Sequence, residues 1–431
     1  MKGFTALPSG WFETKVSYEY DVTLGKMIQS VPTDKAYIPC QYHKSATIQD
    51  GKLLEPAEGM YASADEIENL QIQKGDLLVC EGGDIGRSAI VESEQESPVI
   101  IQNSAHRVRS NGNYSVQWLY YVLRFFKDSC LINVEISGTN TISHFTNEIF
   151  RSMIIPFPPV ELSNKYIYFL DCKIAKINAA IKNCQSLLEA LVAYRQSLIT
   201  RAVTKGLDPN VEMKDSGVEW IGSIPREWKT SKISFVSDVT LGKMLCPRQT
   251  DSEQTLETYL CAGSISWDGV KDYIKEMWFS SKEKSELLLI AGDVLVVEGG
   301  AGFGMTTLYK GEHSPCYFQN SIIRVRGHHN VMTSDFINYW MRFTYTAYLK
   351  KVCNEATFSH YTKEKVSETP ILVPPLNEQK KIADFCKLVD ERVKTICAGI
   401  ENQISKLNEY RSSLISAAVT GQLAIDEEVS A

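Results

Sequence analysis

A six-residue string occurs twice in this chain of 431 residues, and its two copies constrain the fold more than any other feature. Val22-Thr23-Leu24-Gly25-Lys26-Met27 returns letter for letter as Val239-Thr240-Leu241-Gly242-Lys243-Met244, 217 residues later. The same offset links Gly75–Gly83 with Gly292–Gly300, Gln102-Asn103-Ser104 with Gln319-Asn320-Ser321, and Arg107-Val108-Arg109 with Arg324-Val325-Arg326. Self-similarity on this scale marks a tandem duplication, so the chain must build one fold twice.

Each copy closes with a long apolar seam. Pro158-Pro159 opens the first and Pro374-Pro375 the second, and Tyr194-Arg195 with Ser197-Leu198-Ile199 recurs as Tyr410-Arg411 with Ser413-Leu414-Ile415. Ile167, Leu170, Ile174, Ile177, Ile181, Cys184, Leu188 and Leu191 step mostly by three and four, the signature of one long helix whose narrow apolar stripe requires a partner helix. A helix of about 40 residues is about 60 Å long. Two copies in one chain pair most simply about a pseudo-twofold axis, which makes the helices antiparallel and turns their length into a ruler between two globular units.

The globular copies read as α+β, sheet first. Strand signals fall at Ala36–Ile38, Asp76–Cys80, Ser88–Val91, Val99–Ile101 and His106–Arg109, and helical patterns at Val116–Phe126 and Ser334–Tyr348. The expected order is a globular domain over 1–157, a long helix over 158–203 and a linker over 204–223. A second globular domain over 224–373, a second helix over 374–421 and a frayed tail over 422–431 follow.

Composition narrows the function. A net charge of -7 argues against a surface that binds nucleic acid everywhere, so any such contact must be local. No apolar run approaches the roughly 20 residues of a membrane span, and the N-terminus lacks a secretory signal, so a cytoplasmic location is expected. The 11 cysteines form no Cys-x-x-Cys pair and read as reduced, mostly buried thiols, implying no metal.

The repeated polar residues are the candidates for binding. Lys26 and Lys243 follow a glycine, as a solvated lysine or a phosphate contact would; their identity in both copies favours contact. Arg107, Arg109, Arg324 and Arg326 alternate with valine and are expected to form a basic stripe on one sheet face, available to DNA or to surface ion pairs. Glu81–Arg87 and Glu298–Gly304 follow strands without a Gly-Lys-Ser/Thr, so they read as hairpin turns, from which Arg87 and Phe303 reach outward. Ser143-His144-Phe145 and His360-Tyr361 lack a nucleophile elbow and an orienting acid; they suit hydrogen bonding to base edges or plain loop packing better than catalysis. Asn103 and Asn320 complete the set. No methyltransferase tetrad, phosphate-binding loop or nuclease triad is present, and no catalytic or metal-binding residue is assigned.

Several longer strings resemble the specificity subunit of Type I restriction-modification enzymes. They are Pro374–Gln379, the Tyr-Arg-x-Ser-Leu-Ile closures, Ala202–Leu207, and Asp215–Gly222 ahead of Ile224-Pro225 and Trp228. The first helix departs at Val160–Ser163, which lacks the Glu378-Gln379 pair and leaves its capping open. The resemblance implies two target recognition domains, each reading half of a bipartite DNA site across an unread spacer. It also implies docking of two methyltransferase subunits and, through them, two restriction subunits. S-adenosylmethionine, ATP and Mg2+ would belong to those partners. Specificity is then expected in the stretches where the copies diverge, Ile28–Gln73 and Leu245–Ile290. A coiled-coil scaffold without sequence readout and a Ser-His hydrolase are the rival readings.

Overall fold

The computed structural model describes residues 7–131, 145–349 and 360–425. It divides into two compact units, Met1–Gln185 with Glu401–Ala431, and Ser186–Ile400. The division falls inside the long helices, Val160–Lys205 and Leu376–Val419, so each unit holds one globular copy and part of both helices.

In the first unit a four-stranded antiparallel sheet runs in the order Tyr20–Leu24, Ala105–Ser110, Leu77–Cys80, Ser88–Ile90. Leu77–Cys80 is central and wholly buried, which is why its sequence is an unbroken apolar run. A second sheet orders Ala57–Ala62, Ile38–His43 and Val99–Ile101, and a ribbon pairs Phe12–Lys15 with Ile154–Phe157. The helix Val116–Asp128 is capped by Ser115, whose hydroxyl accepts the Gln117 amide at 3.2 Å. It buries Trp118, Leu119, Val122 and Phe126 against the sheet, and the Trp118 indole donates to the Pro156 carbonyl at 2.9 Å.

The second unit repeats this plan strand for strand. Ser237–Leu241, Ile322–Gly327, Val294–Val297 and Thr306–Leu308 form its four-stranded sheet, and Lys275–Phe279, Thr255–Leu260 and Tyr317–Phe318 its second. Even the register repeats: Val108 faces Val22, and Val325 faces Val239.

Within each unit the two helix segments run antiparallel. In the first, the Tyr166 hydroxyl donates to the Leu423 carbonyl, just past the end of the second helix, at 2.8 Å while Arg411 donates to Asn178 at 2.8 Å, so rising numbers along the first helix meet falling numbers along the second and its C-terminal extension. Leu170 and Ile177 share a core with Leu414, Ile415, Ala418 and Val419. Each fully buried aliphatic side chain there contributes about 2 kcal/mol. In the second unit Arg195 donates to Asp390 at 2.6 Å, and Ile199, Ala202 and Val203 share a core with Ile382 and Cys386.

Three expectations shift. The strand anticipated at Ala36–Ile38 begins only at Ile38 and runs to His43. The 204–223 linker holds a strand, Met213–Asp215, paired with Ser223–Pro225. The helix starting at Ser334 ends at Thr344 and continues as a π-turn over Tyr345–Leu349.

Candidate nucleic-acid interface

The repeated motifs, far apart in sequence, meet at one end of each four-stranded sheet. In the first unit the Asn103 amide donates to the Lys26 carbonyl at 2.9 Å, Glu81 to the Ser104 carbonyl at 2.9 Å, and Phe145 to the Glu81 carbonyl at 2.8 Å. In the second, Asn320 donates to Lys243 at 2.8 Å, Glu298 to Ser321 at 3.0 Å, and Tyr361 to Glu298 at 2.7 Å. Main-chain bonds therefore gather the hexapeptide, the asparagine turn, the glycine-rich turn and an aromatic residue, Phe145 or Tyr361, into one cluster, and do so twice. Both glycine-rich turns lie in antiparallel hairpins.

Most of the repeated cations point inward, which corrects their reading as exposed ligands. Lys26 does not stand on an open turn: its side chain is 12% exposed, lies over the Tyr37 ring, and donates to Glu66 at 2.5 Å. Lys243 does the same with Glu283 at 2.5 Å, over the Phe279 ring. The glycine before each lysine is needed for close approach, because a side chain on Gly25 or Gly242 would come within 2.3 Å of the Gln102 or Gln319 carbonyl. Glu66 is held below the usual carboxylate range by the Lys26 hydrogen bond and the Ser63 amide. Burial alone would raise Glu283, but Lys243 and Ser280 draw it down.

The arginine stripe is likewise engaged by the protein's own groups, with Arg107 and Arg324 buried and Arg109 and Arg326 30% and 32% exposed. Arg107 is buried and donates to the Asn69 and Gln71 carbonyls at 2.7 and 3.0 Å; Arg324 donates to those of Glu286 and Leu288, both at 3.1 Å. Arg109 forks onto Asp76 at 2.6 and 2.9 Å, and Arg326 onto Asp293 at 2.6 and 2.7 Å. Tyr361 also turns inward, 2% exposed, with its hydroxyl 2.5 Å from Thr369 Oγ1. A buried ring with a satisfied hydroxyl cannot reach a duplex.

Other candidates stay at the surface of the cluster. His360 is exposed and its imidazole sits against Gly299, where an added Cβ would lie 2.6 Å from Nδ1. Asn103 and Asn320 are half-buried, and Phe303 packs edge-on against Tyr361. Arg87 is mostly covered, donating to the Ser45 carbonyl at 2.5 Å beside Asp84. Ser143 and His144 lie outside the described residues. Met27 and Met244, 73% and 75% exposed, lie outside the residues expected from sequence, although the repeated hexapeptide contains both. Glu66, Glu283, Asp76 and Asp293 lie outside them too, although Ser63-x-x-Glu66 and Ser280-x-x-Glu283 are legible capping boxes at the repeat offset. Among the described residues no cluster of three or more His, Cys, Asp or Glu is placed to hold a metal ion, and no helix is long and apolar enough to cross a membrane.

Two frames of identical plan, each carrying a divergent segment and a surface cluster, define a tandem-repeat recognition protein. The chain belongs to the family of the Type I restriction modification DNA specificity domain, which matches residues 25–189 and 225–406, one copy each. It is 24% identical over 334 residues to the Type I restriction enzyme MjaVIII specificity subunit of Methanocaldococcus jannaschii, covering 72% of this chain and 70% of that one. It shares the fold of a chain solved in work on the complex assembly and conformational transition of the type I R-M system, with a TM-score of 0.73, 16% identity, and coverage of 97% and 100%. The HsdS subunit from Thermoanaerobacter tengcongensis is similar at a TM-score of 0.54 and 15% identity, over 98% and 100% of the two chains.

Proposed function

We propose that this chain is the sequence-reading subunit of a Type I restriction-modification complex, each unit reading one half of an asymmetric, two-part DNA site. The observation that carries this is duplication with divergence: one frame, matched twice by one DNA-specificity family, holds two different segments, Ile28–Gln73 and Leu245–Ile290. A shared frame suits a common duplex backbone, and unlike segments suit unlike bases. The surface residues of each cluster, Met27 with Asn103, and Met244 with Asn320, Phe303 and His360, are the proposed contacts. The long helices, running on through 46 and 44 residues, set the unread spacer between half-sites. Methylation and cleavage fall to methyltransferase and restriction subunits, which bring S-adenosylmethionine, ATP and Mg2+; the target base is flipped into them, not into this chain. Such a complex works in the cytoplasm, beside its DNA.

The test is to co-express the chain with its methyltransferase subunits in a host lacking other adenine methylation and sequence the modified genome. A bipartite motif with a fixed gap is expected, and replacing 245–290 should alter one half only. A contiguous motif, or methylation without sequence preference as a bare scaffold would give, overturns the reading.

A further inference from the structure

The helix inside each divergent segment is gripped at both ends by cations of the frame. In the first unit the helix is Ala64–Leu70. Lys26 holds its leading end through Glu66, at 2.5 and 2.6 Å from the two carboxylate oxygens. Arg107 holds its trailing end through the carbonyls of Asn69 and Gln71, and Arg109 adds a second bond to Gln71 at 2.8 Å. In the second unit Lys243 takes Glu283, Arg324 takes the Glu286 and Leu288 carbonyls, and Arg326 takes Leu288 again at 3.1 Å, around the helix Ser281–Leu287.

What the grip ignores is as informative as what it uses. Of the seven residues in each helix, only Glu66/Glu283 and Leu70/Leu287 coincide. The arginines touch main-chain carbonyls, which every sequence supplies, and the lysine touches the one glutamate that both copies keep. That glutamate serves twice, since Glu66 also accepts the Ser63 amide at 2.9 Å and Glu283 the Ser280 amide at 2.8 Å.

We propose that Lys26, Arg107 and Arg109, with Lys243, Arg324 and Arg326, form a sequence-tolerant clamp that positions each divergent segment for base readout, so that they govern specificity without touching DNA. This rests on the DNA-reading function proposed above. A clamp of this kind lets segments be exchanged provided the Ser-x-x-Glu cap and the packed leucine, Leu70 or Leu287, are retained, because the cations recognise no other side chain of the helix.

The experiment uses the full chain in complex with its methyltransferase subunits and a pool of randomised duplexes, scored separately for discrimination at each half-site. Lys243→Met keeps the apolar stem and leaves the Glu283 cap on Ser280 in place. It is expected to lower discrimination about tenfold at the half-site read by the second unit, the loss expected from one charged hydrogen bond. The other half-site and the salt dependence of binding stay unchanged. Lys26→Met moves the defect to the other half-site, and Glu283→Gln, which retains the cap, reproduces it more mildly and serves if Lys243→Met fails to fold. Unchanged discrimination in these variants overturns the clamp. So does uniformly weaker binding with a salt slope smaller by about one, the mark of a lost phosphate contact. If the wild-type complex itself selects no bipartite motif, the proposed function has failed, and the clamp with it; a wild-type motif left intact by the variants sinks the clamp alone.

Discussion

The side-chain oxygen of Gln379 accepts the backbone amide of Thr333 at 2.8 Å, tying the start of one long helix to the cap of the helix Ser334–Thr344. The Gln379 side-chain nitrogen donates to the Val331 and Pro374 carbonyls at 3.0 and 2.8 Å, so a fully buried side chain satisfies three main-chain groups. Its counterpart in the first helix is Ser163, equally buried, whose hydroxyl has no hydrogen-bond partner. Gln379→Ala is therefore expected to cost about 3 kcal/mol by stranding those groups, whereas Ser163→Ala costs nothing or stabilises by about 1 kcal/mol. Thermal unfolding of the two variants checks this; equal destabilisation would refute it.

Asp293 is fully buried, takes the fork of Arg326 and also accepts the Ile290 amide at 2.9 Å. Asp293→Ala leaves the guanidinium without its counter-charge beside Arg324, itself buried. A loss of about 3 kcal/mol is expected, the cost of breaking a buried pair from one side. Hydrogen exchange should show the loss at 286–297 first. A variant as protected as wild type there would mean that the pair is solvent-screened.

Acid should weaken the first unit selectively. His43 and His106 are buried there, and burial pushes both imidazoles down to about 4. His106 Nε2 lies 2.8 Å from the Phe145 carbonyl and must donate to it, while Nδ1 has no partner; His43 Nδ1 pairs with Thr47 at 3.0 Å. The second unit has Leu260 and Ile323 at these places. A histidine that titrates lower when folded binds a proton on unfolding, so stability is full above the unfolded value of about 6.5 and is lost as pH falls toward 4. At pH 5 each costs about 2 kcal/mol. Amide exchange at pH 7 and pH 5, corrected for intrinsic rates, should show protection lost in the first unit beyond any loss in the second, and His106→Leu should reduce the difference. Equal losses would exclude the imidazoles as the cause.

The helices and central strands were legible because their burial is one-sided or complete: a three-four stripe along Ile167–Leu191, an unbroken Leu77–Cys80. Of the second sheet only Val99–Ile101 was legible, because Ala57–Ala62 carries Glu58 and Gly59 and Ile38–His43 carries Pro39, none of which signals a strand. The site was legible as a set of repeated residues but not as a set of directions. Identity between copies points to a shared ligand outside, yet a cation buried against one carboxylate is held to the same identity from inside. Lys26 with Glu66 and Arg109 with Asp76 recur at 217 as pairs, and it is the recurrence of the partner that separates the two cases.

Two glycines of the second unit should behave oppositely. At Gly242 a methyl group meets the Gln319 carbonyl oxygen at 2.3 Å and that of Phe318 at 2.6 Å. Neither can retreat, since Lys243 donates to Phe318 at 3.1 Å and Asn320 to Lys243 at 2.8 Å. Gly242→Ala is expected to destabilise by about 3 kcal/mol, the cost of overpacking against backbone. At Gly299 the obstacle is only the exposed His360 ring, which can swing aside. Gly299→Ala should leave stability within about 0.5 kcal/mol of wild type, as surface changes do. If His360 meets a base, it should also weaken discrimination at one half-site about tenfold. Thermal unfolding paired with half-site selection separates the two. A Gly299→Ala variant that unfolds early would show the His360 ring to be fixed in place, and one that reads both half-sites as wild type does would remove His360 from the reading surface.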